Sequence, residues 1–390
     1  MSQLLESRWS ETKEALLEGL QGNKRSVMAT TLENTRKYLA ESATAGATSS
    51  GNVATLNRVI LPVIRRVMPT VIANELVGVQ PMTGPVGQIH TLRVRYSDSF
   101  NSTNGTDTTA GDEALSPFKI AEGYSGAAAT DRAASTAALE GTAGNRLSIQ
   151  ILKQTVEAKT RKLSARWTFE AAQDAQAQQG IDIEAEIMAA LAQEITAEID
   201  QEVISSLSNL AGTVLTYDQG FVSGTATFVG DEHAALAVQI NRTANLIAQR
   251  TRRGAGNWAV VSPTTLTILQ SATTSAFART TEGTFEAPTN TKFVGTLNSA
   301  MRVYVNGYAT TDDVLVGYKG SSESDAAAFY CPYIPLMSSG VVLDPATFEP
   351  VVSFMTRYGY VELTNTASSL GNAADYLGKV AVTTANLKFS

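Results

Sequence analysis

The clearest pattern along the chain is a row of branched apolar residues at every fourth position. The row consists of Ile183, Ile187, Leu191, Ile195, Ile199, Val203 and Leu207. Because an α-helix turns about 100° per residue, each step of four drifts about 40° around the helix. The pattern therefore predicts one long helix over 182–209, with a winding apolar stripe that touches more than one partner.

Several acidic residues lie on the remaining surface of this helix. They are Glu184, Glu186, Glu194, Glu198, Asp200 and Glu202. Paired carboxylates can serve acid–base catalysis or bind a metal ion. No histidine or glycine-rich turn accompanies them here, so we interpret them as a solvated helix face.

Two shorter helical patterns precede a linker at the start of the chain. Leu5, Trp9, Leu16 and Leu20 share one helical face, and Met28, Leu32, Thr35 and Leu39 share another. Glycine and asparagine separate the two at 19–23, and the SATAGATSSGN stretch at 42–52 has the composition of a flexible linker. Residues 1–41 are therefore either an ordinary helical hairpin or a removable segment.

Alternating apolar and polar residues predict strands at 92–96, 147–151 and 153–169. Between the first two, residues 97–145 are dominated by Ser, Thr, Gly, Ala and Asp. A loop of that length is unusual inside a compact domain, so we expect a projection that becomes ordered against a neighbour. Upstream, residues 53–85 predict a short helix and an extended arm.

The second half of the chain predicts a mixed α/β pattern. We expect a β-hairpin over 211–229 and a helix from Glu232 to Arg250. Ser262 and Pro263 have the residue types of an N-cap and a first helical position. Further strands are predicted at 258–261, 301–305, 314–318, 350–355, 359–363 and 379–387.

Composition narrows the possible functions. Apolar residues make up 43% and charged residues 17% of the 390 residues, as in globular proteins. The net charge of −7 disfavours direct nucleic-acid binding, which relies on Lys and Arg, and suits the wall of a container. We find no signal peptide and no apolar run long enough to span a membrane.

Enzymatic chemistry has few residues to draw on. The chain has two histidines, His90 and His233, and one cysteine, Cys331, which we expect to be a buried small side chain. Phosphate-loop, dinucleotide-binding, zinc-protease and nucleophile-elbow motifs are absent from the sequence. An α/β hydrolase centred on 254–345 is the enzyme alternative, but these histidines supply no triad. We therefore expect no enzyme, no cofactor and no metal.

Four segments resemble the major capsid proteins of T-even-like myophages. The first, 64–96, contains Gly78-Val79-Gln80-Pro81-Met82 and Gly84-Pro85-Val86-Gly87-Gln88. The others are VEAKTRKLSARWTFEAAQDAQAQQGIDIEAEI at 156–187, DVLVGYKGSSESDAAAFYCPYIPL at 313–336 and FEPVVSFMTRYGY at 348–360. They occur in family order and span most of residues 60–360.

The resemblance implies an α+β fold of the Hong Kong type. That fold has a peripheral domain with a long spine helix and a β-sheet, an axial domain, an extended loop and an N-terminal arm. The implied boundaries are a helical segment at 1–41, a linker and arm at 42–87, the extended loop at 88–169 with its flexible tip at 97–145, the peripheral domain at 170–234 with the spine helix at 182–209, the axial domain at 235–345, and the rest of the peripheral domain at 346–390.

The resemblance also implies function and partners. Such proteins self-assemble into hexamers and pentamers that form an icosahedral head shell around double-stranded DNA. Expected partners are other copies, an internal scaffold, a prohead protease, a portal, and decoration or vertex proteins. The expected location is the virion, with assembly in the bacterial host cytoplasm and no membrane. An encapsulin-like compartment is the alternative with the same fold.

Candidate site residues follow from the same resemblance. Prohead proteases of this family cut after Leu/Ile-X-Glu, which Leu39-Ala40-Glu41 fits, as do Leu16-Leu17-Glu18 and Leu4-Leu5-Glu6. The candidate cut between Glu41 and Ser42 is the one that lies just before the linker. Candidate inter-subunit contacts are Lys159, Arg161, Lys162 and Arg166, which either meet acidic groups such as the spine-helix glutamates or stay solvated. Arg250, Arg252 and Arg253 either close a helix at the end its dipole favours or contact another subunit.

Overall fold

The computed structural model describes most of the chain as helices and mixed sheets. The described residues are 9, 13–14, 17, 22–44, 72–99, 108–112, 114, 136–141, 144–179, 182–219, 229–272, 277–279, 291–298, 300–347, 349–363 and 373–383. The helices are α1 (Gly22–Thr44), α2 (Ala73–Leu76), α3 (Thr136–Leu139), α4 (Phe169–Gln179), α5 (Ile183–Leu210), α6 (Val229–Thr251), α7 (Pro263–Ser271) and a 3₁₀ turn (Ala373–Tyr376). The strands are β1 (Gly78–Val79), β2 (Val86–Tyr96), β3 (Leu147–Glu157), β4 (Lys159–Arg166), β5 (Thr213–Asp218), β6 (Trp258–Val261), β7 (Phe277–Arg279), β8 (Thr291–Leu297), β9 (Met301–Asn306), β10 (Val314–Gly317), β11 (Ala328–Ser338), β12 (Val342–Leu343), β13 (Pro350–Glu362) and β14 (Leu377–Thr383).

The long helix predicted over 182–209 is confirmed as α5, which is called the spine helix below. Asp182 caps its start, where the carboxylate accepts a hydrogen bond from the backbone N–H of Glu184 at 3.1 Å. The apolar stripe is buried from Leu191 to Leu207, while its first two members are only partly buried. The prediction that the acidic face is solvated is wrong at Asp200, which is buried and only 1% exposed. This helix buries a wider arc than the stripe alone indicates.

The spine helix packs against a five-stranded sheet. Its strand order is β1-β11-β13-β12, and β4 pairs with the other side of β13, from Arg166 opposite Val351 to Lys159 opposite Tyr358. The strand predicted over 153–169 is therefore divided at Ala158. Its first part belongs to β3 and its second part, β4, is a strand of the sheet.

Strands β2 and β3 form a separate antiparallel ribbon. The two pair over eleven residues each, from Val86 opposite Glu157 to Tyr96 opposite Leu147. The strand predicted over 92–96 is confirmed and begins six residues earlier. The ribbon projects from the body, since every residue of β3 from Leu147 to Ile151 is exposed.

A seven-stranded mixed sheet carries the second core. Its order is β5-β14-β10-β6-β9-β8-β7, and α6 and α7 pack on it. Of the hairpin predicted over 211–229, residues 220–228 lie outside the described residues, and the described residues differ from the prediction at two points. Strand β5 pairs in parallel with the C-terminal strand β14, and Val229 begins α6. The predicted helix start at Ser262 is confirmed, because its hydroxyl accepts a hydrogen bond from the N–H of Thr265.

The N-terminal helix α1 is part of the main core. Val27, Met28 and Leu32 are 3%, 1% and 0% exposed and join the cluster that contains the spine helix. Helix α1 continues to Thr44, so the predicted linker does not begin at 42. The rest of that linker and the predicted arm at 53–71 lie outside the described residues, as do Leu5, Leu16 and Leu20 of the first helical pattern.

Candidate assembly surfaces

The ribbon presents an uncovered apolar stripe. Leu147, Ile149 and Ile151 alternate along β3 and therefore lie on one face, where they are 54%, 68% and 66% exposed. Scattered exposed apolar residues are ordinary in folded proteins, but a contiguous row on a projecting ribbon marks a surface that another molecule covers. No other described element of this chain covers it.

The base of the loop that joins the two ribbon strands is held by an ion pair. Arg146 donates to Asp98 through its backbone N–H at 2.9 Å and through its guanidinium at 3.3 Å. These hydrogen bonds hold the pKa of the Asp98 carboxyl below its usual value. This ion pair joins the two chain segments just beyond the last paired residues of the ribbon, Tyr96 and Leu147. It therefore holds the end of the ribbon at which the apolar stripe begins.

Arg161 connects the sheet to the spine helix. Its guanidinium bonds the carboxylates of Glu198 and Glu202 and the hydroxyl of Tyr358. The Tyr358 hydroxyl donates in turn to Glu202, and burial raises the pKa of that phenol far above its usual value. The predicted meeting of Arg161 with spine-helix glutamates thus occurs within one chain.

The other cations of β4 have a different environment. Side chains alternate across a strand, so Lys162 and Arg166 lie on the face opposite Arg161. Both are exposed, as is Lys159 at the start of the strand, and Arg166 lies 3.7 Å from Glu349 of its own chain. An exposed pair at that distance contributes little to stability. Lys159 and Lys162 are exposed and make no ion pair with any described residue.

The basic cluster after α6 closes that helix. Arg250 lies in the last turn, and Arg252 has a φ of 51° with its N–H bonded to the carbonyl oxygen of Ala248. This is the left-handed position that ends a helix, where glycine is more usual. Arg253 pairs with the carboxylate of Asp325 at 2.7 Å. The same carboxylate also accepts hydrogen bonds from the hydroxyls of Tyr318 and Tyr376. The cluster therefore joins α6 to the loop after β10.

Two sets of polar contacts, called clamps below, hold helix α1 against the rest of the chain. Lys24 pairs with Glu75 of α2 at 3.0 Å, and Glu75 also pairs with Arg302 at 2.9 Å. The buried Asn34 amide donates to the carbonyl oxygens of Met82 and Tyr333, at 2.6 and 3.1 Å. Glu41 and Ser42, the candidate cleavage residues, lie in the same helix beyond these clamps. The sequence pattern located the apolar face of α1 but gave no signal for the Asn34 contacts.

The described residues offer no arrangement that points to catalysis. No cluster of His, Cys, Asp and Glu that could hold a metal ion occurs among them, and none of their helices is long and apolar enough to cross a membrane. His233 Nδ1 lies 2.6 Å from Ser271 Oγ, but that hydroxyl also donates to the carbonyl oxygen of Ile268. Cys331 is buried as predicted, and burial raises the pKa of its thiol to about 11, which keeps it protonated.

Asp200 is a buried carboxyl that the sequence pattern assigned to the surface. One oxygen accepts from the backbone N–H of Ile72 at 2.8 Å, while the other has no hydrogen-bond partner among the described residues. Burial raises the pKa of Asp200 to about 7, against an ordinary value of 3.8. Between these two pKa values the folded chain keeps a proton that the unfolded chain has lost. The free energy of unfolding therefore falls as pH rises from about 4 to about 7, by about 4 kcal/mol.

We expect Asp200→Asn to remove this pH-dependent penalty, because an amide does not ionise. The variant should have a higher melting temperature than the parent chain at pH 8 and no advantage at pH 4.5. Thermal unfolding at both pH values measures the difference, and Glu194→Gln, on the exposed face of the same helix, is the matched control. Parallel pH profiles for Asp200→Asn and the parent would contradict the raised pKa.

Comparison with known proteins identifies the class. The family model described as "Major capsid protein Gp23" matches residues 53–382. The major capsid protein of Enterobacteria phage T4 is 31% identical, with 83% of this chain and 78% of the T4 protein covered. The major capsid protein of Vibrio phage KVP40 is 29% identical, with 84% of this chain and 80% of the KVP40 protein covered. The capsid of Myoviridae phage XM1 aligns with a TM-score of 0.44 at 12% identity, over 80% of this chain and 92% of that one.

The match covers far more than half of the chain, so the protein is a major capsid protein of tailed bacteriophages, a structural subunit of the virion and not an enzyme. Within this class the chain belongs to the Gp23 major capsid protein family. The α+β class and the Hong Kong-type fold implied by the sequence resemblance hold for it. The family also favours a phage shell over the encapsulin-like compartment.

Proposed function

We propose that the chain forms hexamers and pentamers that close into an icosahedral head, with the β2–β3 ribbon of each subunit covered by a neighbour. The observation that carries the proposal is the exposed stripe Leu147, Ile149 and Ile151, which no described part of its own chain covers. Symmetric closure lets many modest contacts of this kind add up to a stable shell. Lys159, Lys162, Arg250 and Arg252 are further candidates for contacts between subunits. Arg161, Arg166 and Arg253 have acidic partners in their own chain.

We further propose that the shell encloses double-stranded DNA without sequence-specific binding. The net charge of −7 supports this, since an acidic wall does not hold phosphates tightly. Assembly in the host cytoplasm is consistent with a single buried cysteine, which forms no disulfide. An internal scaffold, a prohead protease, a portal and decoration or vertex proteins are the partners we expect during assembly.

Maturation cleavage after Glu41 is the third part of the proposal. Two observations support it: the Leu39-Ala40-Glu41 tripeptide, and the start of the family match at residue 53, downstream of this segment. Cleavage would remove Val27, Met28 and Leu32 from the main core. Because hydrolysis severs this segment from the chain, its departure from the core would make the change irreversible.

We expect Glu41→Gln to stall particles in their compact form, because the amide removes the carboxylate that defines the cleavage site. Mass spectrometry of purified particles measures the outcome: the parent chain should begin at Ser42, whereas the variant chain should keep residues 39–41. Glu14→Gln is the control, since Glu14 is exposed and ends no Leu/Ile-X-Glu tripeptide, and this variant should mature normally. A parent chain that begins at Met1 in mature particles would overturn the cleavage and leave the capsid role standing.

A further inference from the structure

The candidate cleavage bond lies in a regular helix. Helix α1 extends from Gly22 to Thr44 and therefore includes both Glu41 and Ser42. Endoproteases act on locally opened backbone, so cleavage of a structured segment follows the population of its opened form. A bond in this position is cut only after the last turns of α1 unwind.

The docking of α1 on the body stabilises that helical state. Most helical stability in proteins comes from tertiary packing and not from intrinsic helix propensity. Val27, Met28 and Leu32 supply the packing, against the core that also contains Leu76 and Val79. The helix therefore persists because its first half is buried against the rest of the chain.

Asn34 is the last described anchor before the cleavage bond. Its amide bridges two separate parts of the chain, the carbonyl oxygen of Met82 after β1 and that of Tyr333 in β11. Glu41 follows seven residues later, which places it about 10 Å along the helix axis, two turns beyond the clamp. Both partners of Asn34 lie in the part of the chain that remains after cleavage, while Asn34 itself lies in the part that leaves.

We propose that docked helix α1 is an autoinhibitory contact that sets the rate of cleavage between Glu41 and Ser42, with Asn34 as its latch. This inference rests on the proposed maturation cleavage and adds that the docking of α1 controls its rate. While α1 lies on β11, the bond is helical and resists the protease. An event that draws α1 away from the body, such as contact with a scaffold or a neighbouring subunit, unwinds the last turns and makes the bond cleavable. Cleavage is thereby limited to subunits that have already assembled.

The test uses the purified full-length chain and a glutamate-specific endoprotease as the probe. The rate at which a fragment beginning at Ser42 appears is followed by mass spectrometry. Asn34→Ala removes both clamp hydrogen bonds, and we expect cleavage about tenfold faster. Lys37→Pro leaves the docked residues unchanged but breaks the helix before the bond, so it should accelerate cleavage as well. Arg25→Ala, on the exposed face of α1, is the matched control and should be cut at the parent rate.

Each outcome decides the proposal. Faster cleavage of both variants, with Arg25→Ala unchanged, supports it. Acceleration by Lys37→Pro alone overturns it, because helicity would then protect the bond without any control by docking. Parent-like rates for both variants overturn it too. If Asn34→Ala fails to fold, Lys24→Ala, which removes the other clamp to Glu75, takes its place as the docking variant, and a parent-like cleavage rate for it overturns the proposal. The N-terminus of the chain in native particles reports separately on whether maturation cleavage occurs at all.

Discussion

Replacing Ile149 and Ile151 together by Asp is expected to abolish shell formation and leave the subunit folded. Both side chains are about two-thirds exposed in the single chain, so the carboxylates cost the isolated subunit little. In a shell the same carboxylates would be buried against a neighbour without a partner, which is costly. Particle yield by electron microscopy and sedimentation measures assembly, and circular dichroism with thermal unfolding measures the fold.

The ribbon itself provides the control for this experiment. Ser148 and Gln150 lie on the opposite face of β3 and are also exposed. Replacing both by Asp adds the same charge to the same strand without touching the apolar stripe, and this variant should form shells. Normal particle yield from the Ile149 and Ile151 variant would remove the stripe from the list of subunit contacts. A loss of assembly in that variant alone would identify the covered face of the ribbon.

Gly317→Ala is expected to destabilise the subunit by about 3 kcal/mol through overpacking. Gly317 lies in β10, inside the seven-stranded sheet, between Trp258 of β6 and Leu377 of β14. A Cβ atom at Gly317 would lie 2.1 Å from Cζ2 of the Trp258 indole and 2.5 Å from its Cε2. Trp258 is 2% exposed, so the ring has no open space to move into. Chemical denaturation of the purified subunit measures the loss.

Gly212→Ala is the matched control, because no atom of the described residues lies within 4 Å of a Cβ atom built there. A second variant tests the cause directly. Trp258→Leu shortens the side chain that meets the new methyl group, so Gly317→Ala should cost less in that background than in the parent. Equal stability of the Gly317→Ala and Gly212→Ala variants would show that the sheet absorbs the methyl group and would contradict the contact.

Features encoded within a few neighbouring residues were predictable from the sequence. The apolar row from 183 to 207 fixed the spine helix to within a residue or two, because a helix face is set by local spacing. Ser262 and Pro263 identified the start of α7 for the same reason, since a cap forms within one turn. The family segments supplied the class of protein and the candidate cleavage bond.

Features that depend on distant partners were not predictable in this way. Strand β5 has an ordinary alternating pattern, but its partner is β14, with Thr213 opposite Lys379. A hairpin and a long-range parallel pair look alike in such a short segment. Division of the 153–169 strand at Ala158 likewise depends on which partner each half finds, β2 or β13.

The same distinction separates the candidate sites. Sequence spacing by itself determined the spine helix, the acidic character of its surface and the basic residues of β4. Only the tertiary structure decided that Arg161 meets Glu198 and Glu202 within its own chain, and that Asp200 is buried beneath Ile72. It also decided that Asn34 clamps α1 onto the body. The physical reason is that periodicity describes one element at a time, whereas burial and hydrogen-bond partners are set by segments that fold against it from far along the chain.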